Sequence, residues 1–130
     1  MKPGVGRTPI HHATDAARGV IIADALRVAD THWTRLRGLL GTPEPPVGSG
    51  LWIRPCRQVH MFGMRYAIDV VFLDDADTIV AVVSDLRPWR ISPLVKGASS
   101  VLELPAGTVA RLGLQTGQRL TMAARSPSAS

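Results

Sequence analysis

The sequence predicts a mainly β (α+β) domain, a compact antiparallel β-sandwich or barrel of about six to eight short strands with one or two short helices. Short runs of β-branched and aliphatic residues recur along most of the chain. Gly and Pro separate these runs, with 12 Gly and 10 Pro in 130 residues. Only two short stretches have the spacing or length of a helix. A chain of this length forms about one domain.

The strand candidates are short runs rich in Val, Ile and Leu. They cover residues 20–26, 51–54, 58–62, 68–73, 78–84, 100–104 and 118–123. The runs 68–73 and 78–84 flank an Asp-rich turn and form the clearest hairpin. Because both of its arms are almost continuously apolar, we expect this hairpin to be buried on both faces.

Two short helices are predicted. The first begins after a capping residue at position 30 or 31 and ends near Gly41. Trp33, Leu36 and Leu40 stand at i, i+3 and i+7, which places them on one helical face. The second helix covers residues 107–112, between two glycines.

The chain is expected to be one domain with a tail at each end. Residues 1–17 are predicted to be a flexible N-terminal tail, 18–124 a single β-rich domain and 125–130 a C-terminal tail. The first residues lack the apolar run of a secretory signal, and the longest apolar run, 79–83, is too short to cross a bilayer. The expected localisation is therefore cytoplasmic, with no membrane span.

The chain is basic, with 15 Lys and Arg against 10 Asp and Glu and a net charge of +5. Nucleic-acid binding requires basic residues clustered on one surface. The arginines are instead scattered along the sequence, which favours an Arg-rich solvent-exposed surface over a nucleic-acid interface.

Cys56 is the one cysteine of the chain, so no intramolecular disulfide forms. Cys56 and His60 are four residues apart, and on a strand they would lie about 13 Å apart at ~3.3 Å per residue. That separation is too large for a shared metal ion or for a nucleophile–base pair. We therefore predict no metal site and no cofactor, and we interpret Cys56 as a buried thiol, with a reactive thiol as the alternative.

Three further side chains stand out, and two of them have two interpretations each. Asp69 begins an apolar strand, where a carboxylate needs a partner. It is either a structural hydrogen-bond acceptor or an acid or base in a pocket. Trp89 lies between Arg87 and Arg90 and either packs on the edge of the core or stacks on a ligand ring. Glu103 lies on the opposite strand face from its two Leu neighbours and is interpreted as a structural residue that forms an ion pair.

The predicted function is that of a non-catalytic binding or accessory module for a small anionic or carbohydrate-like ligand. The predicted ligand-binding residues are His60, Phe62, Arg65, Asp69, Arg87 and Trp89. One alternative is a small hydrolase-like or metal-dependent enzyme that uses Cys56, His60 and Asp69. The other is a protein-interaction subunit. The sequence leaves open which ligand or partner binds and in what oligomeric state.

Three blocks of the sequence resemble a known bacterial and archaeal family, the domain-of-unknown-function family numbered 192. The main block is made of residues 50–53, 60–65 and 68–74; residues 101–107 resemble the second block and residues 35–40 the N-terminal one. The resemblance covers about residues 20–122. It implies a compact β-rich domain with no assigned reaction. The chain departs from many relatives at Ala67, where they have Pro, and at residues 60–63, where they have Trp-Met-Lys-Asn. Many relatives are exported or lipid-anchored.

Overall fold

The structure, a computed structural model, describes residues 10–124 apart from the side chains of residues 32, 33 and 36. The elements are β1 (His11–Asp15), β2 (Ile21–Ala29), α1 (His32–Arg37), β3 (Ser49–Ile53), β4 (Ile68–Leu73), β5 (Ile79–Leu86), β6 (Ser100–Pro105), α2 (Thr108–Leu112) and β7 (Leu120–Ala124). The predicted tail segments 1–9 and 125–130 lie outside the described residues, as do the side chains of Trp33 and Leu36.

The seven strands form a single sheet in the order β5-β4-β6-β3-β2-β1-β7. The pair β2–β3 is parallel and the other pairs are antiparallel, so the sheet is mixed. The two edge strands meet at one end, where Ile79 N–H donates to the Gln118 carbonyl over 2.8 Å and Thr78 bridges to Arg119. The sheet therefore curls into a half-barrel, and the predicted mainly β class with a barrel-like form is confirmed.

Most strands lie where the sequence predicts them, but two regions differ. β1 occupies His11–Asp15, inside the predicted N-terminal tail, because β2 and β7 pair with it on both sides. Its own residues carry little β signal, and Ala13 is its one buried aliphatic side chain. Residues 58–62 do not form the predicted strand. They are irregular, with a single bridge between His60 and Ile91.

The first helix is shorter than its sequence pattern suggests. Thr31 caps it: its hydroxyl accepts from Thr34 N–H, and the Thr34 hydroxyl accepts from Thr31 N–H, both over 3.1 Å. The helix ends at Gly38 instead of Gly41, because Gly38 turns the chain with a φ of 54° that disfavours a side chain. Among residues 10–124, no helix is long and apolar enough to cross a bilayer.

The sheet is covered by apolar side chains on both faces. The inner core collects buried side chains from all seven strands inside the half-barrel: Ala13, Ile22, Ala23, Leu26, Trp52, Val71, Leu73, Ile79, Leu102, Leu104, Val109, Leu114 and Leu120. The outer core lies between the other sheet face and the loops: Ala29, Leu39, Leu51, Ile53, Val59, Met61, Met64, Ile68, Val70, Phe72, Leu86, Ala98 and Val101. β4 contributes alternate residues to both, and each of its residues is buried. The predicted burial of this arm on both faces is confirmed.

β3 and β6 pair closely at the centre of the sheet. Leu51 is the register partner of Glu103. A Cβ added at Gly50 would collide with the backbone carbonyl oxygen of Glu103 and reach Leu104. Gly50 is therefore the residue that lets β6 approach β3, and this approach sets the position of Glu103 on the outer face.

Candidate functional site

Asp69 is a buried structural acceptor in this fold. Its side chain is on β4, and its residue is 1% exposed. One carboxylate oxygen accepts from Asp85 N–H over 2.9 Å. The other accepts from Gly107 N–H over 3.1 Å and from Val109 N–H over 2.8 Å. The carboxylate thus ties the start of α2 and the end of β5 to β4, and among the two sequence interpretations this geometry favours the structural one.

Three aromatic rings form a stack on the surface. The rings of His60 and Phe62 are 5.1 Å apart between centroids and inclined by 29°. Phe62 and Trp89 follow at 6.2 Å and 32°. Phe62 is 46% exposed and Trp89 68%. The sequence names all three rings as binding candidates, and the fold brings them together from two segments of the chain.

Backbone hydrogen bonds between those two segments hold the aromatic stack. Met61 N–H donates to the Arg90 carbonyl and Trp89 N–H donates to the Met61 carbonyl, each over 2.8 Å. Trp89 adopts a φ of 68°, a left-handed conformation that costs a bulky residue about 1–3 kcal/mol. The same hydrogen bonds enforce this conformation, which keeps the indole exposed.

The two predicted arginines differ in their surroundings. Arg87 is exposed and its Nε lies 3.2 Å from an Asp85 carboxylate oxygen. Since both side chains are mostly solvent-exposed, this pair contributes little to stability. Arg65 is also exposed and borders a groove of about 580 Å³, formed by the loop after α1 and residues 63–66.

A narrow cleft of about 60 Å³ opens beside this groove. The two share Leu39, Leu40 and Met64 in their walls. Side chains from α1, from the irregular segment after β3 and from β6 line the cleft: Arg35, Arg37, Gly38, Leu39, Leu40, Ile53, Cys56, Gln58, Val59, His60, Met61, Phe62, Met64 and Glu103. His60 and Phe62 belong both to the cleft and to the aromatic stack, so cleft, groove and stack form one continuous surface.

Glu103 is the unexpected member of the cleft. It is 5% exposed, and burial raises the pKa of its carboxyl from an ordinary 4.5 to about 7. Between residues 10 and 124 its carboxylate has no hydrogen bond or ion pair. The ion pair expected from the sequence is therefore not formed among these residues. A Cβ at Gly38 would lie 3.5 Å from Oε1 of Glu103, so α1 ends directly over the carboxylate.

Cys56 and Arg35 lie on the other side of the cleft. The Cys56 thiol donates to the Gln58 carbonyl over 3.2 Å. Burial, followed by the nearby charge of Glu103, raises the pKa of this thiol. An Arg35 guanidinium nitrogen lies 3.4 Å from the Pro55 carbonyl, while its buried Nε has no hydrogen-bond partner in the described structure.

The irregular backbone of residues 55–63 changes one of the sequence arguments. This segment is not a strand, so the separation of about 13 Å expected on a strand does not apply. Cys56 and His60 line the same cleft instead. Asp69 does not line the cleft. In the part of the chain that the structure describes, no three His, Cys, Asp or Glu side chains are placed to hold a metal ion.

The sequence carried a signal for Glu103 that its interpretation as an ion-pairing residue overlooked. Glu103 shares its strand face with Val101 and Pro105, and both are buried. A charged residue between two apolar residues on the same strand face is expected to be buried. What the sequence could not supply was the cover over that face, which comes from α1 and from the loop that carries Cys56.

The family model of DUF192, described as an uncharacterized ACR, matches residues 13–122. The chain belongs to this family. The UPF0127 protein of Thermococcus sibiricus is 32% identical over 108 residues, covering 79% of this chain and 69% of the relative. A UPF0127 protein of Pyrococcus furiosus is 37% identical over 111 residues, covering 82% and 93%. The resemblance seen in the three sequence blocks is thus confirmed.

Two solved bacterial structures share the fold of this DUF192 domain. A protein of unknown function from Novosphingobium aromaticivorans aligns with a TM-score of 0.74 at 19% identity, covering 86% of this chain and 83% of that one. A protein from Sinorhizobium meliloti, proposed to be a transcription regulator, aligns with a TM-score of 0.76 at 23% identity, covering 88% and 95%. At these identities the likeness shows the fold alone.

The three DUF192-like blocks of the sequence meet at the cleft. Gly38 comes from the N-terminal block, His60 from the main block and Glu103 from the second block. Residues that are far apart in the chain therefore form one small polar site with apolar walls.

Proposed function

We propose that this DUF192 domain is a non-catalytic binding module whose ligand lies in the groove and cleft, against the aromatic stack. One observation carries the proposal: an exposed aromatic stack borders a cleft that contains a buried carboxylate without a partner. Small-molecule sites combine mostly apolar walls with a few placed polar groups, in pockets of roughly 300–1,000 Å³. The groove, at about 580 Å³, is within this range.

The side chains around this surface favour an anionic or carbohydrate-like ligand. Arg35 and Arg37 line the cleft, and Arg65 borders the groove. Guanidinium groups donate hydrogen bonds to carboxylate, phosphate and hydroxyl oxygens. The aromatic rings supply apolar faces on which the C–H groups of a sugar ring pack. Of the predicted residues, this surface includes His60, Phe62, Arg65 and Trp89. We assign Asp69 to the fold, and Arg87 lines neither the groove nor the cleft.

The enzyme alternative has less support from the geometry. It requires Cys56, His60 and Asp69 at one point, and the Asp69 carboxylate is engaged by three backbone N–H groups elsewhere. A thiol nucleophile also needs a lowered pKa. Burial raises the pKa of Cys56 instead, so at neutral pH the protonated and unreactive thiol dominates.

A ligand panel tests the proposal. We would measure the melting temperature and tryptophan fluorescence of the full chain with D-glucose, D-glucuronate and inorganic phosphate, in the wild type and in Trp89→Ala. We expect at least one probe to raise the melting temperature, and Trp89→Ala to weaken its binding about tenfold through the lost ring contact.

Val47→Ala is the matched control, since Val47 is 74% exposed and lines neither the groove nor the cleft. It is expected to bind the probe like the wild type. A melting temperature that no probe changes, or equal affinity of Trp89→Ala and the wild type, would refute the proposal.

A protein partner is the second candidate, because the exposed apolar surface continues past Trp89. Ile91 is 53% exposed and Leu94 66% exposed. Surfaces that join Trp and other apolar side chains to Arg are typical of protein interfaces. Sedimentation of the full chain at rising concentration tests a second copy as this partner. Self-association that Leu94→Glu abolishes supports the candidate, and a monomer at all concentrations excludes the second copy.

A further inference from the structure

The closed end of the cleft has the chemistry of a specificity site. We propose that Glu103 selects the ligand by accepting a hydrogen bond from a hydroxyl group of a neutral carbohydrate, whose ring lies outside the cleft in the groove. This inference rests on the proposed function, which places the remainder of the ligand. Glu103 then determines which ligand binds, while the aromatic stack determines where it binds.

The burial of Glu103 without a partner is the first argument. Its residue is 5% exposed, and no hydrogen bond or ion pair to its carboxylate occurs among the described residues. Withdrawing a carboxylate from water without a partner is costly. A ligand hydroxyl that enters the cleft supplies the missing donor and recovers part of that cost as binding free energy.

The size of the cleft limits the group that enters. A volume of about 60 Å³ holds a few atoms, not a ring. Gly38 lies over the carboxylate, where even a Cβ would approach Oε1 to 3.5 Å. A hydroxyl or hydroxymethyl group fits this space, and the ring that carries it remains in the adjoining groove of about 580 Å³.

The charged and titratable groups around Glu103 favour a neutral hydroxyl. Arg35 and Arg37 line the cleft from α1, and Cys56 and His60 line it from the segment after β3. The two guanidinium groups disfavour an ammonium group, and Glu103 itself disfavours a carboxylate. A hydroxyl group both donates and accepts hydrogen bonds. It therefore suits a cleft that contains an acceptor, the Glu103 carboxylate, and a buried donor without a partner, Nε of Arg35.

Amide NMR spectra of the full chain, titrated with D-glucose, test the inference. We expect the signals of Gly38 and Glu103 to shift together with those of Phe62 and Trp89. Glu103→Gln is expected to weaken D-glucose binding about tenfold, because it replaces the charged acceptor by a weaker neutral one. Asp75→Asn, an exposed turn residue, is the control and is expected to bind like the wild type.

D-glucosamine and D-glucuronate separate the neutral hydroxyl from charged groups, and both are expected to bind more weakly than D-glucose. The pH profile of D-glucose binding gives a second readout. Wild-type affinity is expected to rise from pH 6 to pH 8 as Glu103 ionises near its pKa of about 7. His60→Gln is expected to weaken binding but to keep this rise, whereas Glu103→Gln removes it.

The failures of the two proposals are distinguishable. If D-glucose shifts the signals of Phe62 and Trp89 but not those of Gly38 and Glu103, the role of Glu103 is refuted and the binding module stands. If D-glucosamine binds more tightly than D-glucose, the neutral hydroxyl is refuted. If no probe of either charge shifts any of the four signals, both proposals fail.

Discussion

Asp69 and Glu103 are buried carboxylates on neighbouring strands, and they differ in almost everything else. Asp69 accepts hydrogen bonds from three backbone N–H groups. The carboxylate of Glu103 accepts none among the described residues and lines a cleft. Hydrogen bonds to the charged form stabilise a buried carboxylate, whereas burial alone destabilises it. The first carboxylate therefore stabilises the fold, whereas the second one destabilises it when ionised and lines the cleft of the proposed site.

This difference teaches how to separate structural from functional charges in a small domain. Burial by itself does not distinguish them, since Asp69 is 1% exposed and Glu103 5%. Satisfaction of the hydrogen bonds does distinguish them. Removing the charge of Glu103 is therefore expected to stabilise the folded state, whereas removing that of Asp69 is expected to destabilise it.

Asp69→Ala is expected to have the largest effect on stability. It leaves three backbone N–H groups without their charged acceptor, and each buried unsatisfied donor costs about 1–3 kcal/mol. We expect a loss of at least about 3 kcal/mol in the free energy of unfolding, measured in urea at pH 7. Asp75→Ala, in the exposed turn after β4, is the control and is expected to change the free energy by less than about 0.5 kcal/mol. A loss below about 1 kcal/mol for Asp69→Ala would contradict the structural role.

Glu103→Gln is expected to act in the opposite direction. The folded state holds the Glu103 proton up to about pH 7, whereas the ordinary carboxyl loses it near 4.5. Wild-type stability therefore falls as the pH rises through this window, by up to about 3 kcal/mol at 1.36 kcal/mol per pKa unit. Glu103→Gln removes this fall, so it is expected to be more stable than the wild type at pH 8 and similar at pH 4.5.

Urea unfolding at both pH values measures the effect of Glu103→Gln on the free energy of unfolding. Asp75→Asn, which removes a carboxylate from an exposed position, is the control. If Glu103→Gln is less stable than the wild type at pH 8, Glu103 forms a stabilising bond and the contrast with Asp69 is lost.

The smallest expected effect concerns the thiol beside Glu103. Burial and the Glu103 charge raise the pKa of Cys56, so its thiolate fraction at pH 7.5 lies below that of an exposed cysteine. We expect iodoacetamide to modify the folded chain at least about tenfold more slowly than a short cysteine peptide. The assay is unambiguous because the chain has one cysteine. The urea-unfolded chain serves as the control, and a folded-state rate equal to its rate would show a reactive thiol.

Much of the fold could be predicted from local patterns. The apolar run at Ile68–Leu73 and the Asp-rich turn after it gave a hairpin arm with the same bounds as β4. The strand β1 could not be predicted in this way. Its residues His11–Asp15 carry little β preference of their own, and pairing with β2 and β7 on both sides is what makes them a strand.

The site could be predicted only in part. Trp89 lies between two arginines in a loop, which predicted a ring-stacking surface with His60, Phe62 and Arg65 around it; this assignment stays a prediction. Asp69 was given a functional alternative because a carboxylate in an apolar strand is unusual, and its three backbone donors come from residues 85–109, which no local pattern identifies. Glu103 was interpreted as an ion-pairing residue because no local pattern shows what covers its strand face. That cover comes from α1 and residues 55–64.

The sequence by itself determined the mainly β class, most of the strands and the likeness to the DUF192 family, because these depend on local hydrophobic patterns and short motifs. Only the tertiary structure decided which buried carboxylate is satisfied. Hydrogen-bond partners and solvent exposure depend on contacts between residues that are distant in the chain. Those contacts decide how strongly burial destabilises an ionised carboxylate. For that reason the place of Glu103 in the cleft could be recognised only from the positions of α1 and of the segment after β3, which cover it.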